Sequence, residues 1–225
     1  MENEKLKRLK PLRIISLVVI ILMFLGAFWV RLLIPAGQPV PVSWNFNGDP
    51  ARYGNPDIAL FIIPLVAVVV SLLFIFIPRI EPRKQHFVQS VKAYSVIWVG
   101  LLVVLAVVQV LILVTAAGNQ VDVVTVLMVT VGVLFMVMGN YQGKIRSNYL
   151  LGVKTPWTLT SELAWNKTHR LAGKLFMLLG AILIAGGILD SGGVIRYGIG
   201  FGVPLLIFSI FTYSYFIWKA DPNKK

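Results

Sequence analysis

The chain has 225 residues, of which 57% are hydrophobic and only 13% charged, and it carries a formal net charge of +12. Soluble proteins average roughly 45–50% apolar and about 25% charged residues, so this length counts membrane spans and not globular cores. No cysteine is present, which excludes disulfides, a thiolate zinc site and a cysteine nucleophile; two histidines, His86 and His169, leave little for a metal centre.

Six apolar runs predict spans at Ile14–Ile34, Ile58–Ile77, Tyr94–Ala117, Val123–Met138, Leu171–Leu189 and Ile199–Trp218. A helix needs roughly 20 residues to cross the hydrocarbon layer, and only the fourth run is short, unless Asp122 lies at the headgroup boundary and the helix extends past it. Arg31 and Lys174 fall near span ends, where long stems snorkel to the interface. The first run follows Lys5, Lys7, Arg8, Lys10 and Arg13 like a signal peptide, but it is too long and no small-residue cleavage site follows it. An uncleaved first span is expected.

Eighteen lysines and arginines fall in the amino-terminal tail, the 78–93 loop, the 139–174 segment and the carboxyl tail; only Arg31, Arg52 and Arg196 fall on the alternate side. This bias predicts that both termini are cytoplasmic. The basic balance is then a topology signal matched to anionic headgroups, and no direct nucleic-acid binding is expected. The expected fold is an all-α integral membrane protein, a six-transmembrane-helix bundle. It divides into a basic tail (1–13), three spans with an outer loop (14–117) and a second region with three spans (118–225). Pro64 and Pro204 should kink their spans. Ala181 and Ala185, with Gly180 and Gly187, and the Gly198/Gly202 pair should let helices approach closely within one bundle.

Two segments exceed what connections require. The outer loop, 35–57, holds five of the twelve prolines with Trp44, Phe46 and Tyr53 among asparagines and glycines. Its Pro-Val-Pro-Val-Ser-Trp stretch is extended in character, and Asn47-Gly48-Asp49-Pro50 and Tyr53-Gly54-Asn55-Pro56 are turns. It reads either as an interfacial aromatic belt or as a recognition surface. The inner segment, 139–174, is polar and turn-rich. Thr158 or Thr160 should cap a helix beginning near Ser161, with Glu162, Asn166 and His169 on one face and Lys167, Arg170 and Lys174 on another. The first face reads as a structural surface bonding the preceding loop, the second as a lipid-headgroup contact. No H-E-x-x-H spacing or third ligand supports a metal. His86 reads as a solvated loop histidine.

The inner segment resembles the signature of the SdpI family of integral membrane immunity proteins, made against the sporulation-delaying peptide toxin of endospore-forming bacteria. The likeness rests on Gly139-Asn140-Tyr141, Asn148-Tyr149 with Gly152 and Lys154, Thr155-Pro156-Trp157-Thr158-Leu159, and Trp165 with Lys167-Thr168-His169-Arg170 and Gly173. Lysine at 154 departs from the arginine of the G-x-R-T-P-W pattern, keeping the charge without a bidentate donor. The stretch Pro41–Gly48 with Tyr53-Gly54 is similar to the short domain of unknown function that often precedes this signature. The resemblance implies a non-enzymatic, multi-pass protein of the bacterial plasma membrane, without cofactor or catalytic residues, that confers resistance to a secreted peptide toxin. It also implies signalling, by holding a small repressor at the membrane. Candidate toxin-facing residues are Trp44, Asn45, Phe46, Asn47 and Tyr53. Candidate residues of the cytoplasmic signature are Asn140, Asn148, Lys154, Thr155, Pro156, Trp157, Thr158, Trp165, Lys167, His169 and Arg170. Implied partners are membrane lipids, the toxin outside and the repressor inside. The rival readings are a small membrane transporter or an envelope-stress protein, and an intramembrane enzyme using Glu162 and His169; the latter lacks a nucleophile or metal set.

Overall fold

The computed structural model describes residues 9–35, 37–189 and 198–224. The tail cations Lys5, Lys7 and Arg8, and Asp190 and Arg196 of the last connection, lie outside the described residues.

Among the described residues, six helices are long and apolar enough to cross a membrane. They are α1 (Leu9–Leu33), α2 (Pro56–Ile80), α3 (Lys84–Ala116), α4 (Val123–Gln142), α6 (Glu162–Ile188) and α7 (Val203–Lys219); α5 (Pro156–Thr160) is a single turn, and a π-helical turn, Gly198–Gly202, leads into α7. Their outward faces carry bare apolar side chains: Ile14, Trp29, Leu205 and Phe208 are each about two-thirds exposed. Such a continuous apolar surface is stable only against lipid.

Several boundaries differ from the sequence expectation for local reasons. Helix α3 starts ten residues before Tyr94, and at 33 residues it is about 50 Å long, well beyond the roughly 30 Å hydrocarbon layer. Its first turns are therefore an extension into the polar end, and His86 sits on a helix and not in a solvated loop. Helix α6 likewise runs unbroken from Glu162, so the amphipathic inner helix and the fifth span are one element. Asp122 accepts from the Thr125 N–H as the N-cap of α4, and the helix reaches span length by running on to Gln142. Hydrogen bonding from the Thr125 side chain and N–H holds the Asp122 carboxyl below its ordinary value. Pro64 lies inside α2 as expected, but Pro204 occupies the first turn of α7, where proline costs no backbone bond.

The outer loop is not only turns. Val40–Trp44 (β1) and Pro50–Gly54 (β2) form an antiparallel hairpin, an addition to the all-α scheme. Asn45 closes it: its Oδ1 accepts the N–H groups of Asn47 and Asp49, both at 2.9 Å, and Gly48 takes a positive φ of 88°. Asn55 then caps α2 by accepting from the Asp57 N–H at 2.7 Å. Arg31, expected to snorkel, pairs with Asp57 at this end of the bundle.

The closest helix contact is between α4 and α6, and glycines set it. A methyl added at Gly132 would stand 2.7 Å from the Gly180 carbonyl oxygen, and one at Gly139 would stand 2.6 Å from that of Gly173. Thr125 donates to the Gly187 carbonyl at 2.9 Å. Positions 125, 132 and 139 thus meet 187, 180 and 173, a seven-residue spacing on both antiparallel helices. Gly180 and Gly187 do allow close approach; Ala181 and Ala185 are exposed and do not. At Gly202 the nearest atom is Leu179 Cδ1 in ordinary contact at 3.7 Å, and the Gly198/Gly202 pair belongs to the π turn.

Candidate functional site: a stitched cap and an outer hairpin

The segment between α4 and α6 is a folded cap over one end of the bundle, and each buried polar residue in it has a bonding role. Asn148 is fully buried; its Oδ1 accepts the N–H groups of Leu150 and Leu151, and its Nδ2 donates to the Arg146 carbonyl at 2.8 Å. One side chain therefore satisfies three main-chain groups of a loop without regular structure. Thr155 and Thr158 form a reciprocal capping box that starts α5, and Thr155 Oγ1 lies 3.2 Å from Ser214 Oγ on α7. The cap of α6 is Ser161, not Thr158 or Thr160. Its hydroxyl accepts from the Ala164 N–H at 2.9 Å and donates to Asp221 beyond α7. That bond, with one from the Asn223 N–H, holds the Asp221 carboxyl below its ordinary value.

Helix α6 presents Trp165 and His169 to the loop. Trp165 Nε1 donates to the Ile145 carbonyl at 2.8 Å, and the two rings stack with centroids 4.0 Å apart. His169 Nε2 accepts the Val153 N–H at 3.0 Å, while Nδ1 faces the Trp165 carbonyl at 2.8 Å. This arrangement makes Nδ1 the protonated nitrogen and Nε2 the acceptor. The expected bonding of the preceding loop is therefore present, but of Glu162, Asn166 and His169 only the histidine takes part, beside Trp165. Glu162 and Asn166 are exposed while His169 is buried, so the three do not form one working face. Gly152, at φ 97°, passes directly over His169 Nε2, where no side chain fits. Trp157 is half-buried and packs edge-on against Phe211 and Tyr215 of α7, at 4.7 and 5.2 Å. Asn140, Lys154, Pro156, Lys167 and Arg170 are exposed.

The sequence reading missed the partner of this loop, which comes from the α2–α3 connection. Glu81 is buried, with 1% of its surface exposed, and its carboxylate accepts the N–H groups of Arg83 and Tyr149. Arg83 donates to Ser147 Oγ and to the Tyr149 hydroxyl, and lies over the Tyr149 ring at 4.5 Å. His86 Nδ1 is 2.7 Å from the Ser147 carbonyl, and Ser90 Oγ accepts the Arg146 N–H at 3.0 Å. The available signal was Glu81 itself, the sole carboxylate in a loop with four cations. Beneath this network Phe74, Phe87, Tyr94 and Trp98 form an aromatic cluster continuous with Ile145, Leu151 and Trp165. The cap is thereby fixed to both halves of the chain.

A family profile described as the SdpI/YfhL protein family matches residues 144–217, which cover the cap, α6 and most of α7. The likeness to that family is thus carried by 74 of the 225 residues. The chain is also 26% identical over 170 residues to the immunity protein SdpI of Bacillus subtilis (strain 168), covering 76% of this chain and 78% of that one. No solved structure matches it. With six helices of spanning length among the described residues and this likeness to a membrane immunity protein, the chain is a multi-pass protein of the bacterial cell membrane.

At the opposite end the hairpin and the α3–α4 turn enclose a mixed groove of about 590 Å³, lined by Trp44, Asn47 and Asp49 on one side and Asn119, Gln120 and Asp122 on the other. The five outer candidates divide there. Trp44 is half-buried and packs on the core of α1, α2 and α3, and Asn45 holds the turn. Phe46, Asn47 and Tyr53 are exposed. Among the described residues no cluster of three or more metal-ligating side chains occurs.

Proposed function

We propose that the chain is a membrane immunity protein, without enzymatic activity, that protects the cell making it from a secreted antimicrobial peptide. The likeness to an immunity protein carries this reading, because it extends over 76% of the chain and so well beyond the cap. The cation bias supports cytoplasmic termini, with the hairpin end outside where a peptide arrives. Exposed Phe46 and Tyr53 beside the hairpin groove supply the aromatic surface that an amphipathic peptide buries. The finer arm of the reading is signalling, with a small repressor held at the cap. There exposed Tyr149 and Leu163 flank a second mixed groove of about 610 Å³.

The test is survival under peptide challenge. Phe46→Ala with Tyr53→Ala should lower survival at unchanged membrane abundance, because neither residue is buried in the core. Asn45→Ala is not diagnostic, since it opens the turn. Full protection by the Phe46/Tyr53 double variant would move recognition away from the hairpin.

A further inference from the structure

Four cations converge on one groove at the cap end. Lys144 and Arg146 come from the loop after α4, Lys167 and Arg170 from α6, and Gln89 and Asn166 complete a concavity of about 600 Å³. Among the described residues none of the four lies within ion-pair distance of a carboxylate; Glu162 lines the adjoining cleft with Arg146, not this groove. The Arg170 stem crosses Gly143, with its Cγ 3.5 Å from where a methyl would stand, so the glycine makes room for the guanidinium over the loop. Four like charges held together repel one another unless an anion neutralises them.

The groove does not end at the cap. Farther along α3, the helix that carries Gln89, a valine-rich cleft of about 560 Å³ opens between α3 and α4, lined by Val96, Val99 and Val103 facing Thr130, Val133 and Val137. On α3 the stripe 89, 92, 96, 99, 103 repeats at helical spacing, and on α4 the stripe 130, 133, 137, 141 does the same, so each helix presents one continuous face. At the junction Tyr141 lies between the ammonium groups of Lys92 and Lys144, at 5.9 and 4.6 Å from its ring centroid. Val103 and Val133 are about half exposed, so the cleft is open to lipid. From Val96 to Val107 it runs about 16 Å, half of a roughly 30 Å hydrocarbon layer.

We infer that this pair of features is a binding site for one anionic glycerophospholipid, its phosphate among Lys144, Arg146, Lys167 and Arg170 and an acyl chain in the valine cleft. A soluble phosphate or an acidic peptide would use the basic groove alone; the cleft that continues it into the hydrocarbon layer is what selects a lipid. The assignment does not depend on the immunity reading.

The experiment is native mass spectrometry of the full-length chain, released from detergent after incubation with phosphatidylglycerol or with phosphatidylcholine of identical acyl chains. Phosphatidylglycerol should be retained at least tenfold better, and each groove cation removed should cost about fivefold. Lys144→Gln with Arg170→Gln should therefore release the lipid. Val133→Trp, which fills the cleft from an exposed position without changing charge, should do the same. Equal retention of the two lipids overturns the site, and that comparison needs no variant. Displacement by glycerol 3-phosphate as readily as by the lipid, or unchanged retention in Val133→Trp, overturns the acyl half and leaves a soluble-anion site.

Discussion

Gly152→Ala tests whether the cap is an ordered structure and not a tethered loop. Three costs add at this position. Alanine at a φ of 97° costs about 1–2 kcal/mol. Its methyl would overlap His169 Nε2, and making room for it costs a further ~1–3 kcal/mol. If the ring swings aside, the Val153 N–H loses its acceptor, worth about 1 kcal/mol. The total of about 3–6 kcal/mol should lower the melting temperature in detergent by about 6–24 °C, at about 2–4 °C per kcal/mol for a chain of this size. Gly48→Ala is the internal control: its φ is 88° and nothing lies within 4 Å, so it carries the backbone cost alone. Intrinsic tryptophan fluorescence during a thermal ramp, to which Trp165 stacked on His169 contributes as one of six tryptophans, reads both variants. A Gly152→Ala protein that melts no lower than Gly48→Ala would refute the proposed packing over the histidine.

Further outcomes follow from the same geometry. Gly180→Val should push α4 from α6, because a β-carbon there meets the Gly132 carbonyl oxygen at 2.5 Å; gel filtration in detergent should show lost monodisperse protein, whereas Ala181→Val on the exposed face should behave normally. Glu81→Ala leaves the part-buried N–H of Tyr149 without its acceptor, at a cost of about 1 kcal/mol, and should speed proteolysis within 143–155; Glu81→Gln keeps an acceptor and should be milder, and equal resistance in all three proteins would remove Glu81 from the cap. The chain has no native cysteine, so single cysteines at 53 and 154 report topology cleanly: an impermeant thiol reagent on intact cells should label 53 and spare 154, and the reverse pattern would invert the orientation.

By itself the sequence determined the solvent of this protein and the number of its crossings. Runs of Val, Leu and Ile near 20 residues long have one stable use, and that conclusion needs no neighbour. Asparagine, glycine and proline signalled turns at 47–50 and 53–56 through local backbone preference, and the resemblance located Trp165, His169 and Asn148 as residues of consequence. Their roles were decided by tertiary structure. Whether a threonine or a serine caps α6 depends on Asp221, sixty residues later, which holds Ser161 in place. Glu81 looked like one acid in a basic loop until folding carried it beneath Tyr149, 68 residues away. The glycines at 132, 139, 173, 180 and 187 are scattered in the sequence and become one seam only when α4 lies antiparallel to α6. Lys167 and Arg170 read as a headgroup contact of one helix face, which says nothing of the Lys144 and Arg146 that the loop after α4 places beside them. Charge and hydropathy are properties of a segment and survive in isolation; a buried hydrogen bond, a close backbone approach and a groove each need two segments, and only the folded chain brings them together.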